Sequence, residues 1–182
     1  MFNLLFKNTL SIFIIFFIIL IFSDFIIQII MADIKRIADE MEKLKNSDYL
    51  SIRKTERINN NDLEWKVVFD GPQESAYEDG IFTIKFKFPN NYPTGGPEGI
   101  FLTKMFHPNV RVPDQHVCIN LLNSWDPKRT IEDVILGIFD IMLNPCVEGA
   151  YGNEATTLLG QSPDKYYDKV EEYTYAYAQN EC

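Results

Sequence analysis

A cysteine nine residues after a His-Pro-Asn triplet is the chemical centre of this chain: His107, Pro108 and Asn109 precede Cys118 in the stretch FHPNVRVPDQHVCINLLNSW, residues 106–125. A thiol attacks thioesters readily and then holds the acyl group as a thioester, so Cys118 is a candidate acyl-transfer nucleophile. Such transfer passes through an oxyanion, and the side-chain amide of Asn109, if it lies over Cys118, is a donor suited to it. Two other readings stay open on the residues alone. The cysteine is a small buried apolar residue after a turn, or His116, two residues away on the same strand face, pairs with it as the thiol-imidazole couple of a hydrolase. The hydrolase reading lacks a third orienting group, and no thiol-protease signature accompanies it.

Positioning such a site needs a folded scaffold, and the periodicities supply one. From Met31, MADIKRIADEMEKLKNS repeats Ile34, Ile37, Met41 and Leu44 at three- and four-residue spacing, an amphipathic helix. Ser51 to Ile58 and Leu63 to Phe69 read as a hairpin closed by Asn59-Asn60-Asn61-Asp62, and Ile81 to Phe88 alternates as a half-buried strand. After a stiff loop carrying Pro89, Pro93 and Pro97, Ile100 to Met105 reads as the fourth strand of an antiparallel meander. Thr130 caps a helix, TIEDVILGIFDIML, whose apolar residues run almost all round and predict burial across a sheet face. Pro145 follows it, a further helix starts near Asn153, and Pro163 opens a last Tyr-rich helix. The expected class is α+β, in one domain.

Composition narrows the partners. A formal charge of −9, with no clustered Lys and Arg, argues against nucleic acid and for proteins. Cys118, Cys146 and Cys182 are scattered and odd in number, which points away from a disulfide framework and towards a reducing compartment, the cytoplasm or nucleus. His107 and His116 with one cysteine make a poor zinc signature, and neither metal nor cofactor is expected.

Residues 1–30 are almost unbroken in apolar character, long enough to span a bilayer. Lys35, Arg36, Lys43 and Lys45 follow this run and only Lys7 precedes it, so an anchor would leave the remainder in the cytosol. The other reading is an upstream start, with a soluble domain beginning at Met31.

The ordered signposts Trp65, Gly71-Pro72, Tyr77-Glu78-Asp79-Gly80, Phe88-Pro89, Tyr92-Pro93, Pro97, His107-Pro108-Asn109, Cys118, Trp125, Pro127 and Thr130-Ile131 resemble those of the ubiquitin-conjugating enzymes over residues 31–182. The resemblance implies that family's fold: an N-terminal helix, a four-stranded antiparallel meander and C-terminal helices. It also implies its activity, carrying ubiquitin or a ubiquitin-like protein as a cysteine thioester and passing it to lysine. Cys118 would accept the modifier from an activating enzyme. Asn109 would stabilise the oxyanion or hold the loop, His107 and Pro108 would brace the turn, and Glu148 would orient and deprotonate the incoming amine. Lys35 and Arg36 match the face that meets the activating enzyme, and Thr94 and Pro127 the surface that meets a ligase.

There are departures from the family pattern. One residue more than usual separates Asn109 from Cys118, and one fewer separates Cys118 from Trp125, shifting the loops on both sides of the thiol. Gly149 replaces an acidic residue beside Glu148, and Thr94 stands where many members carry Phe. Gly95, Gly96 and Gly99 predict a mobile loop. Two alternatives to an active ubiquitin carrier remain: the same chemistry with the cullin modifier or a SUMO-like one, towards which Cys118-Ile119-Asn120 is a mild hint, or an inactive ubiquitin-binding variant.

Overall fold

The computed structural model describes residues 2–47 and 50–181, with side chains from Phe17 onward except that of Ile30. Cys182, one of the three cysteines, lies outside the described residues. The chain divides into two compact units, Met1–Arg36 and Ile37–Cys182. The elements are α1 (Phe2–Lys45), β1 (Ile52–Ile58), β2 (Asn61–Asp70), β3 (Ile81–Lys87), β4 (Glu98–Phe101), α2 (Asn120–Asn123), α3 (Ile131–Leu143), α4 (Glu154–Gln161) and α5 (Pro163–Tyr177).

The first unit is helical, and its described apolar side chains face outward, with Phe17, Phe22 and Phe25 at 66%, 62% and 60% exposure. The segment Phe17–Lys45 is long and apolar enough, by length and composition, to cross a membrane.

In the second unit the sheet order is β1-β2-β3-β4, every neighbouring pair antiparallel. The β1–β2 turn takes Asn59 and Asn60 through positive φ (52° and 57°), which asparagine tolerates better than most residues. Phe82, Ile84 and Phe86 of β3 share one face and are buried with Ile37, Met41 and Leu44 of α1 and with Val134, Ile135 and Ile138 of α3. Helix α3 starts on a capping box in which Thr130 Oγ1 accepts from Asp133 N and the Asp133 carboxylate accepts from Thr130 N. The buried carboxylate of Glu40 meets the same helix end, accepting from Ile131 N at 3.0 Å and from the Tyr92 hydroxyl at 2.8 Å.

Two expectations are corrected. The fourth strand is Glu98–Phe101 rather than Ile100 to Met105, because the chain turns at Leu102 and Thr103, whose amides both reach Thr83 O while Thr103 Oγ1 takes Thr83 N at 2.9 Å. Helix α3 is not buried all round: Leu136 and Leu143 are 45% and 42% exposed, since only the face bearing Ile131, Val134, Ile135, Ile138 and Met142 meets the core.

Gly71 links this frame to the site. A Cβ there would fall 1.8 Å from the carbonyl oxygen of Tyr77, and the buried Tyr77 hydroxyl donates to Phe106 O at 2.9 Å, just before His107. Gly71→Ala forces main chain apart rather than a flexible side chain, and we expect a loss of about 3 kcal/mol in urea denaturation; unchanged stability would refute this account of the turn.

Candidate active site

The site is a short hairpin laid along the free edge of β4. Val110 bridges to Val117 in antiparallel register, Arg111 N donates to His116 O at 2.9 Å, and Cys118 N donates to Asn109 O at 2.8 Å. On its other side the returning strand joins the sheet, with Val117 N on Gly99 O (2.9 Å) and Phe101 N on Gln115 O (3.0 Å). At the hairpin tip Gln115 takes φ +58°, and its side-chain oxygen accepts from Met105 N at 2.7 Å. Cys118 lies opposite Asn109.

His107 is buried and bonded at both ring nitrogens. Nδ1 accepts from Asn109 N at 2.9 Å, so Nε2 carries the proton and donates to Ile141 O at 2.8 Å. Burial pushes its pKa down from 6.5 to about 4, and the carbonyl bond offsets only part of that. The ring is thus a neutral brace between the triplet and the end of α3. Asn109 is buried too; its side-chain Oδ1 has no hydrogen-bond partner, and its amide makes no hydrogen bond to Cys118.

Three residues that sequence reasoning did not assign to the site meet it. Asn153 Nδ2 donates to His107 O (3.1 Å) and Val110 O (3.0 Å), while its Oδ1 accepts from Thr156 N (2.9 Å) as the cap of α4. One amide thereby fixes the triplet and starts a helix. Tyr151 N donates to Pro108 O at 3.0 Å, and the pKa of its phenol is raised by burial and by the Cys118 sulfur beside it. Asn123 Nδ2 approaches Cys118 Sγ at 3.1 Å.

The remaining expected residues lie apart from the thiol's hydrogen bonds. Glu148 is exposed, on the loop that Tyr151 ties to Pro108, and its main-chain oxygen faces Cys146 Sγ at 3.6 Å. His116 turns to carboxylates, 3.2 Å from Asp114 Oδ2 and 3.8 Å from Glu98 Oε2, and makes no bond to Cys118. Arg111 holds Asp114 through two bonds, at 2.8 and 2.5 Å, which pulls that carboxyl down to about 2. Lys35 is exposed and Arg36 half-buried on α1. Thr94 and Pro127 are exposed, and Trp125 Nε1 donates to Pro93 O at 2.7 Å. A Cβ on Gly96 would lie 2.7 Å from the Trp125 ring, so that glycine admits the indole's close approach.

An α+β domain presents a half-buried, hydrogen-bonded thiol beside a braced His-Pro-Asn turn, an arrangement suited to a cysteine that carries an acyl group. Comparison with known proteins supports a specific family. The family model for ubiquitin-conjugating enzymes matches residues 36–174. Ubiquitin-conjugating enzyme E2 5 of Arabidopsis thaliana is 34% identical over 146 residues, 79% of this chain and 77% of that protein. Ubiquitin-conjugating enzyme E2-24 kDa of Saccharomyces cerevisiae is 31% identical over 149 residues, covering 81% of this chain and 66% of its own length, just short of two thirds. A Toxoplasma gondii ubiquitin conjugating enzyme domain shares the fold at a TM-score of 0.72 and 23% identity, over 79% of this chain and 97% of that one. The chain belongs to the ubiquitin-conjugating enzyme family, transferases that work through a cysteine thioester.

The buried neutral His107 has a pH consequence. Its folded pKa lies below its unfolded value, so the unfolded state binds the extra proton; this stability is present above pH 6.5 and is lost as pH falls towards 4. Urea denaturation should show a loss of roughly 2 kcal/mol between pH 7 and pH 5 from this residue. His107→Asn should be less stable at pH 7 yet lose less on acidification; an equal loss in both proteins would contradict the assignment.

Proposed function

We propose that Cys118 accepts ubiquitin from an activating enzyme as a thioester and releases it to a lysine of a target protein, with a ligase bringing the two together. The observation that carries this reading is the main-chain bond from Cys118 to Asn109, which presents the thiol beside the braced triplet. Charging exchanges one thioester for another, so it needs a thiolate and no strong base. Discharge differs: the amine must lose a proton, and Glu148, exposed on the loop that leads to Tyr151, is the carboxylate assigned to orient and deprotonate it. His107 and Pro108 hold the turn, and Asn109 supports the loop or the oxyanion. Lys35 and Arg36 are assigned to the activating enzyme, and Thr94 with Pro127 to a ligase, where the missing aromatic at Thr94 weakens docking. Ubiquitin is favoured over a ubiquitin-like modifier because the relatives described above carry ubiquitin in their names.

The catalytic unit works in the reducing cytoplasm or nucleus. Where residues 1–30 are part of the protein, the outward-facing Phe17, Phe22 and Phe25 favour a membrane anchor with that unit on the cytosolic side. Cell fractionation tests this: anchored protein resists alkaline carbonate extraction, and protein starting at Met31 is recovered in the supernatant.

The chemistry is tested by charging with ubiquitin, activating enzyme and ATP, followed on a non-reducing gel. A thiol-sensitive adduct should form and be lost in Cys118→Ala; an adduct with a ubiquitin-like modifier alone would move the assignment to that modifier, and none with any modifier would end it. Glu148→Ala should charge normally and discharge onto free lysine at least about tenfold more slowly; equal discharge would remove Glu148 from the reaction.

A further inference from the structure

Asn123, and not Asn109, is a side-chain amide donor on the reactive sulfur, which the Tyr151 phenol also meets. Its Nδ2 stands 3.1 Å from Cys118 Sγ, whereas the Asn109 side chain makes no bond to the thiol and leaves its own Oδ1 buried without a partner. A thiolate offers only lone pairs, so of the two ends of the Asn123 amide it selects the NH2. We infer that Asn123 is a catalytic residue that donates an N–H to the Cys118 sulfur and stabilises the negative charge it carries before charging and after discharge. This deepens the reading of Cys118 as acyl carrier and rests on it.

The placement comes from the short helix that follows the thiol. Helix α2 begins two residues after the thiol, with Ile119 as its cap, and one turn returns Asn123 towards the sulfur through Asn123 N on Ile119 O at 3.0 Å. Two devices hold that turn in place. Arg129 Nη1 donates to Leu121 O and to Ser124 O, both at 3.1 Å, drawing the end of α2 together. Leu121 packs where α3 carries Gly137, so closely that a Cβ there would lie 2.4 Å from Leu121 Cδ1. Asn123 itself is exposed, and its position comes from its main chain.

The electron movement makes a donor on sulfur useful in both half-reactions. In charging, the Cys118 thiolate attacks the carbonyl carbon of the modifier's thioester, and collapse of the oxyanion expels the activating enzyme's sulfur with its electron pair. In discharge, the lysine amine forms the C–N bond, the carbonyl π pair moves to oxygen, and collapse breaks C–Sγ. The bonding pair returns to Sγ as thiolate, and the ammonium proton passes to Glu148 or water. The charge therefore appears on the one atom that the Asn123 amide touches.

The test separates the donor from the carrier assignment by using a reaction that needs no modifier. Alkylation by iodoacetamide at a fixed pH, followed on the Cys118 peptide by mass spectrometry, reads the thiolate directly. With the N–H donor removed from the sulfur, Asn123→Ala should slow alkylation about threefold. It should slow discharge of the ubiquitin thioester onto free lysine about tenfold, with the KM for lysine unchanged. Asn123→Asp keeps the shape but sets a carboxylate against the sulfur, and should be slower than Asn123→Ala in both assays. Wild-type rates for Asn123→Ala, or for Asn123→Asp, would overturn the inference, the latter by showing that only shape matters. A wild-type protein that forms no thioester, with the alkylation order intact, would instead refute the carrier reading and leave the donor standing.

Discussion

The one bond on which the site depends is between main-chain atoms, from Cys118 N to Asn109 O. Side chains on either strand can change without moving it, and its register is shared by the Val110–Val117 bridge and the Arg111 N to His116 O bond. Everything around the hairpin confirms that register: β4 pairs with the returning strand, His107 ties the outgoing turn to Ile141, and Asn153 holds the carbonyls of His107 and Val110. A thiol held by backbone pairing keeps its direction while its side-chain neighbours remain free to exchange water for partner surface.

The surroundings of the thiol divide by charge. The buried groups near the His-Pro-Asn turn are uncharged: burial pushes His107 down to about 4, and the phenol of Tyr77, beside His107, is pushed further up by its burial. The hairpin tip carries the ion-paired Arg111 and Asp114 in solvent. Neither set changes charge over a small interval of pH near 7: the buried groups stay neutral and the exposed pair stays ionised.

What the sequence revealed follows from how local each determinant is. The helix cap at Thr130 and the helix opened by Pro163 are decided within four residues and form where their residues predict, while the turn expected over Asn59 to Asp62 tightens to Asn59 and Asn60, with β2 starting at Asn61. The fourth strand is misplaced by sequence because its end is set by Thr83, twenty residues away, and the exposure of Leu136 and Leu143 depends on which face of α3 meets the sheet. In the candidate site, Cys118 and the His-Pro-Asn triplet stand out by residue type and spacing, and the bracing of the turn by His107 is what the family resemblance implies. Asn123 and Asn153 do not stand out: one acts through a four-residue helix, and the other reads as an ordinary helix cap whose second set of bonds spans 43 and 46 residues. Gly96 looked like loop freedom, yet it is a space for the Trp125 ring.

Strand β1 lies at an edge of the sheet, and an unpaired row of amides and carbonyls invites a second chain to extend it. Here the edge carries Arg53, Lys54, Glu56 and Arg57, paired to Asp70, to one another or to Asp62. The pairing with β2 is also irregular between Ile52 and Lys54 and between Arg57 and Ile58. A neighbouring strand would have to strip water from this charge and match a bent template. Growth of a fibre by strand addition along this edge is thereby disfavoured.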